Sequence, residues 1–270
     1  MDTKANEKNT LYVVSDIHSC RDALMRALDD AGFFADESGK LLLLGDALDR
    51  GDDPLGVIDL LLDLQDKGRL IYVKGNHEEL FLNCLQTMTS SATKNSTALF
   101  SHHYKNGTVD TLLAIAGMTE DEAFAYPTEL ARRVMDSPYY KRLLPAAIDY
   151  YETDEFVFCH GWVPCFTVEG EYGKEYLYDP NWREASPTDW WRARWYNGME
   201  LACLHDMRVP GKTVVCGHVR SVWGHANIDG TCNEWDKNVD RTPFFADGVI
   251  GIDGTCFVSG IVNCLIIGEE

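Results

Sequence analysis

Leu41 to Gly51 reads LLLLGDALDRG, and this stretch decides the fold. Four consecutive leucines suit a strand that is buried on both faces. The run then breaks at a glycine into a short, highly charged turn. The flanking chain repeats the device: VVSDIHSC (residues 13–20) ends in Asp16-Ile17-His18, and IYVKGNHEE (residues 71–79) in Gly75-Asn76-His77-Glu78. Strands are expected at Leu11 to Ser15, Leu41 to Leu44 and Leu70 to Lys74. Helices are expected at Arg21 to Ala31, Pro54 to Lys67 and about Glu78 to Gln86, the first two stopped by Gly32 and Gly68. A β-α-β-α-β-α order implies a largely parallel sheet with helices on its faces. Ligands bind such sheets at the carboxyl ends of the strands, where all three polar turns fall.

Further out, FVFCHGW and VVCGHVR are apolar runs that end in single histidines, His160 and His218. Strands are expected at Phe156 to Cys159, Thr213 to Cys216, Val249 to Ile252 and Ile261 to Ile267. From Met88 to about Lys105 the chain is rich in Ser, Thr and Asn. Helical pattern resumes at Val109 to Ala116 and Thr128 to Met135. Residues 88–144 therefore read as a helical insertion, a substrate cap or a structural excursion, within one domain spanning 1–270. The segment from Glu169 to Asn197 is irregular and aromatic, with Tyr172, Tyr176, Tyr178, Trp182, Trp190, Trp191 and Trp195. Packing is the first reading of such a cluster and the walls of a substrate groove the second.

Against 24 Lys and Arg stand 43 Asp and Glu, a formal charge of -19. That field repels phosphate backbones and anionic lipid, so general nucleic-acid binding and membrane association are not expected. The nine cysteines include no C-x-x-C pair, and most lie in apolar surroundings, as reduced core thiols do. The polar start MDTKANEKNT lacks the apolar stretch of a secretory leader, and a cytoplasmic location is expected. Oligomeric state is not legible.

Each polar motif has a bland reading when taken alone. Asp46 and Asp49 could cap the helix near Pro54, Gly75-Asn76 could be a turn, and either lone histidine could be a satisfied core residue. Five such motifs at successive strand ends point instead to a binuclear metal site. Asp16 and His18 would hold one ion, Asp46 would bridge, and Asn76, His160 and His218 would complete the second position. Mixed oxygen and nitrogen ligation suits divalent transition metals better than magnesium or calcium. Manganese is the first expectation, with iron, zinc, cobalt or nickel as alternatives. Two such ions activate a water for in-line attack on phosphorus. His77 is then placed as the general acid, Asp49 as the group that holds it and keeps it protonated, and Arg50 as a forked donor to phosphate oxygens.

These residues resemble those of the calcineurin-like metallophosphoesterases, specifically the phosphoprotein phosphatase branch. Its D-x-H appears as Asp16-Ile17-His18, its G-D-x-x-D-R-G as Gly45 to Gly51, and its G-N-H-E as Gly75 to Glu78. Its H-G and G-H appear as His160-Gly161 and Gly217-His218. The resemblance implies an α/β (α+β) fold: a β-sandwich flanked by helices, with a dimetal site at the strand ends. It also implies a second phosphate-binding arginine between the last two histidines. In TDWWRARWYNG the best match is Arg194, with Arg192 the competitor. Asn76 would contact the phosphate as well. The implied activity is hydrolysis of phosphate monoesters by a water held between the metals. A Ser/Thr protein phosphatase comes first, acting on phosphorylated protein or small phosphoesters. A symmetrical dinucleoside polyphosphate hydrolase comes second, and a noncatalytic phosphate-binding scaffold third.

Overall fold

The computed structural model describes residues 10–90, 97–170, 173–236 and 238–268, so Tyr172 of the aromatic series lies outside the described residues. The strands are β1 (Thr10–Val14), β2 (Lys40–Leu44), β3 (Leu70–Val73), β4 (Tyr151–Glu152), β5 (Phe156–Phe158), β6 (Cys165–Gly170), β7 (Gly173–Tyr178), β8 (Thr213–Arg220), β9 (Phe244–Ala246), β10 (Val249–Asp253) and β11 (Leu265–Gly268). Helices α1 (Arg21–Asp30), α2 (Pro54–Asp66) and α3 (Asn76–Thr89) are followed by α4 (Thr97–Lys105), α5 (Thr108–Ala116), α6 (Glu120–Ala125) and α7 (Pro127–Asp136). The short α8 (Leu144–Ala146) comes next, then α9 (Pro187–Ala193), α10 (Gly198–Leu204), α11 (Ser221–Asn227) and α12 (Cys256–Ser259).

One sheet runs β11-β1-β2-β3 and another β4-β5-β8-β10-β9, with β6 and β7 forming a separate hairpin. The cores of both sheets are parallel, β1-β2-β3 in the first and β5-β8-β10 in the second. Antiparallel strands close both edges of the second sheet and the β11 edge of the first. The parallel reading of the first third therefore describes one half of a sandwich.

Alternation within the apolar runs explains why they lack polar positions. Leu11, Val13, Leu42, Leu44 and Val73 meet Phe158, Val215 and Ile252 between the sheets. Tyr12, Val14, Leu41, Leu43 and Tyr72 turn outward into a core shared with α1, α2 and α3. On the far side Val157, Cys159, Val214 and Cys216 pack with Met199 and Ala202 of α10. Each of these central-strand side chains is thus covered on whichever face it points to, at about 1.5–3 kcal/mol per buried Leu or Val.

The segment expected as a helical insertion is helical from α4 to α7. Val109 and Leu112 of α5 and Leu130 and Val134 of α7 join the same core as α1 to α3. Helix α4 arises in the stretch of weak periodicity, where the buried ring of His103 meets Asn83 Oδ1 of α3 at 3.1 Å. Tertiary contact therefore supports a helix that pattern alone does not. The expected strand from Ile261 shortens to β11, because Asn263 Nδ2 donates to Arg241 O and Ile252 O and bends the chain there.

Candidate metal centre

All five motifs meet at one end of the sandwich. The turns after β1 and β2 are zipped together by Asp16 N to Gly45 O (3.2 Å), His18 N to Asp46 O (3.0 Å) and Ser19 N to Ala47 O (2.9 Å). Gly45 has φ +82°, and a Cβ there would lie 2.3 Å from Gly75 N. Only glycine lets the turns after β2 and β3 touch. Glu78 then clamps them: Oε2 accepts from Asp46 N (3.0 Å) and Gly75 N (2.6 Å), and Oε1 from Ala47 N (3.1 Å) and Tyr72 Oη (2.6 Å). The cap of α2 is Asp53, which accepts from Gly56 N at 2.8 Å, so Asp46 and Asp49 are not spent on that task.

Backbone strain concentrates here. Of the nine non-glycine residues with positive φ among the described residues, six are Asp16, His18, Asp46, Asp49, Arg50 and His218. Each such conformation costs on the order of 1–3 kcal/mol and persists only where its surroundings enforce it.

Two groups of possible ligand atoms result, His18 with Asp46 and His77, and Asp46 with His160 and His218, the atoms of each lying within 4.8 Å of one another. Carbonyl oxygens orient the rings. His18 Nδ1 bonds Leu48 O (3.1 Å) and His160 Nδ1 bonds Leu44 O (2.7 Å), leaving each Nε2 lone pair aimed inward. His160 Nε2 and His218 Nδ1 then lie 2.8 and 2.9 Å from Asn76 Oδ1, and His160 Nε2 is 3.4 Å from Asp46 Oδ1. His160 Nε2 and the amide oxygen of Asn76 are thus two acceptors with no proton between them, an arrangement that a cation resolves. Asp16 stands slightly apart from these groups, its Oδ2 accepting from His218 N at 2.9 Å.

Burial sets the electrostatics. It pushes the carboxyl of Asp16 well up, with Asp253 adding to the effect, and that of Asp46 likewise, with Asp16 adding. Burial also holds His18 and His160 well below the usual histidine range, and takes His218 down to about 4. The donors are therefore neutral imidazoles and carboxyls crowded by one another, a set suited to divalent ions.

His77 is buried, with Nδ1 2.6 Å from Asp49 Oδ2. Its Nε2 has no hydrogen-bond partner and lies 3.9 Å from Asp46 Oδ2. Arg50 lies over the first group, with Nη1 3.0 Å from His18 Nε2 and its guanidinium 4.9 Å from the centre of the Phe257 ring. Arg194 is buried and bonded to Glu79 and Asp149. Arg192 is exposed and bonded to Asp189 at 3.0 Å. Arg192 lines a cleft of about 1100 Å³ that extends from Asn76 past Trp195, Trp191, Tyr176 and Phe166. The Trp195 ring lies 5.6 Å from that of His218.

Sequence reasoning passed over several neighbours of this site. Asp253 ends an apolar strand just as Asp16 does, and that pattern was the available signal. Thr108 and Thr111 of α5 both bond Asp49, which no local pattern announces.

A serine/threonine-protein phosphatase 1 from Salmonella typhimurium is 35% identical over 81 residues, 30% of this chain and 35% of that protein. The asymmetrical bis(5'-nucleosyl)-tetraphosphatase PrpE of Halalkalibacterium halodurans is 36% identical over 72 residues, 24% of this chain and 29% of that protein. The match thus spans about a third of these relatives' length. Among solved structures, a metallophosphoesterase from Sphaerobacter thermophilus aligns over 92% of this chain and 76% of its own, at 14% identity and TM-score 0.42. A cold-active protein-tyrosine phosphatase from Shewanella sp. aligns over 96% and 75%, at 13% identity and TM-score 0.47. The signature described as calcineurin-like phosphoesterase matches residues 10–246, and the chain belongs to that family of metal-dependent phosphoesterases.

Proposed function

We propose that the protein hydrolyses phosphate monoesters, and that its substrates are phosphoserine and phosphothreonine in proteins. The observation that carries this reading is His77. Its ring is fixed through Nδ1 by Asp49, while the buried Nε2 faces Asp46 with nothing to bond. A buried nitrogen without a partner is costly in a purely structural role, and it suits a group that delivers a proton to a leaving oxygen.

The opposed acceptors around Asn76 support two divalent ions, held by Asp16, His18 and Asp46 on one side and by Asp46, Asn76, His160 and His218 on the other. Manganese is our first choice of metal. When bound, such ions supply Lewis acidity and activation of the attacking water. The chain itself provides the rest. Leu48 O and Leu44 O hold the ligand tautomers, and Asp49 holds the acid and offsets its positive charge. Arg50 offers forked donors to phosphate oxygens, and the Asn76 amide faces the same space. Arg194 contributes inner positive charge close to His160, whose basicity it lowers slightly, and Arg192 lies further out. Because the helices of 108–136 share the core of α1 to α3, we read residues 88–144 as an insertion within one domain. Nine free thiols support a reducing compartment such as the cytoplasm. No helix among the described residues is long and apolar enough to cross a membrane.

One feature favours a second reading, a dinucleoside polyphosphatase. Aromatic rings stack bases at about 1–3 kcal/mol each, and Trp195, Trp191 and Phe166 line the cleft that opens beside His218. Turnover of a phosphothreonine peptide and of diadenosine tetraphosphate, with manganese and after chelation, separates the two. A chelation-sensitive preference for the peptide supports the first reading, and preference for the dinucleotide replaces it with the second. Metal-loaded protein that cleaves neither sinks both.

A further inference from the structure

Asp49 is bonded from two sides. His77 Nδ1 meets Oδ2 at 2.6 Å from the α3 side. From α5, Thr108 Oγ1 donates to the same Oδ2 at 2.8 Å and Thr111 Oγ1 donates to Oδ1 at 2.6 Å. All four side chains are buried. A helix-interior threonine ordinarily satisfies its hydroxyl on the carbonyl four residues back. That carbonyl, Gly107 O, is 3.3 Å away, and Thr111 sits closer to Asp49.

The junction before α5 is seated on the same turn. Gly107 has φ +75°, and a Cβ there would lie 2.5 Å from Arg50 N, while Asn106 Oδ1 accepts from Arg50 Nη2 at 3.1 Å. The helical segment therefore packs against the Asp49-Arg50 backbone and supplies both remaining donors to the carboxylate.

We propose that Thr108 and Thr111 are positioning residues for proton transfer: by fixing both oxygens of Asp49 they aim the His77 ring at the leaving oxygen. Without them the carboxylate can rotate about its own axis, and the ring loses its alignment with the leaving group. The inference rests on the assignment of His77 as proton donor. It gives the insertion a part in the chemistry, beyond covering the site.

The test uses the metal-loaded full chain and two esters. A phosphothreonine peptide leaves as an alkoxide that needs a proton, whereas 2,4-dinitrophenyl phosphate leaves as a stable phenolate that does not. Thr111→Val keeps the shape and removes the hydroxyl. We expect it, alone or with Thr108→Val, to lower kcat on the peptide about 10- to 100-fold, the usual scale for a partner that orients a reacting side chain. KM should stay near wild type and the dinitrophenyl ester should lose little. Thr111→Ser should restore the rate. In metal-free protein labelled with 15N-histidine, the protected Nδ1–H signal of His77 should weaken in the double valine variant.

Equal losses on both esters, or an unchanged His77 signal, would overturn the role of the threonines. His77→Asn separates this failure from failure of the underlying reading. If that variant loses the two esters equally, the acid assignment itself falls. If it loses only the peptide while Thr111→Val does not, the threonines alone are wrong.

Discussion

Asp46, Asn76, His77 and His160, the floor of the candidate site, are 1–3% exposed, whereas Phe166, Trp191 and Trp195 in the wall of the cleft that starts at Asn76 are 39–56% exposed. The floor is tied down atom by atom. Glu78 alone ties two turns and β3 together through four hydrogen bonds, and strained backbone is held at the candidate ligands. The wall is built from the hairpin β6-β7 and the short helix α9, whose large rings face the cleft. A floor of this kind fixes the reaction, since proton transfer and metal chemistry tolerate errors of only about an ångström. A wall of this kind selects what leaves, because ring surfaces accept many partners.

The largest expected effect tests the floor. His77→Asn should lower kcat on a phosphothreonine peptide by roughly 10²–10⁴, the scale of general acid catalysis, with little change in KM. Turnover close to wild type would contradict the proposed role. Glu78→Ala comes next and should be seen in folding. It strands the amides of Asp46, Ala47 and Gly75 in the interior. At about 1–3 kcal/mol for each unsatisfied group, a loss of at least about 3 kcal/mol is expected by urea denaturation. A loss under about 1 kcal/mol would show that the turns hold without the clamp.

The same contrast governs what the sequence reveals. Asp16, His18, Asp46, Asn76, His160 and His218 are legible because each follows an apolar run, and the parallel topology brings those run ends to one edge. Glu78 was visible as part of a motif, yet its four partners come from three places in the chain and no periodicity encodes them. Thr119 and Glu122 form a capping box at the start of α6, a local signal that can be read directly. Helix α4, by contrast, depends on burial of His103 against Asn83. Trp190 and Trp182 in the aromatic segment are buried, while Trp191 and Trp195, one position beyond or nearby, are exposed. Tertiary placement decides between core and wall, and composition does not.

Substitution in the wall should leave the floor intact. Trp195→Ala and Trp191→Ala should raise KM for diadenosine tetraphosphate by an amount worth about 1–3 kcal/mol if the rings stack bases, with kcat on 2,4-dinitrophenyl phosphate nearly unchanged. Equal effects on both substrates would mean that these rings support the floor, and the contrast between the two regions would fail.

The smallest expected effect measures how dry the floor is. In the metal-free protein, burial raises the carboxyls of Asp16 and Asp46, and it places Asp253 at about 6. These groups therefore hold protons at a pH where an exposed carboxylate would have lost them. His18, His160 and His218 move the opposite way, with His218 down to about 4, and are uncharged near neutrality. Adding manganese should expel protons from carboxyls and not from imidazoles. The sign follows from the raised values: release should fall as pH rises through them, because fewer carboxyls remain protonated. Weakly buffered protein titrated with manganese under a pH indicator gives the count. Asp46→Asn should reduce it, and Trp191→Ala, out in the wall, should not. An absence of proton release would mean that water already reaches the floor and ionises its carboxyls before any metal arrives.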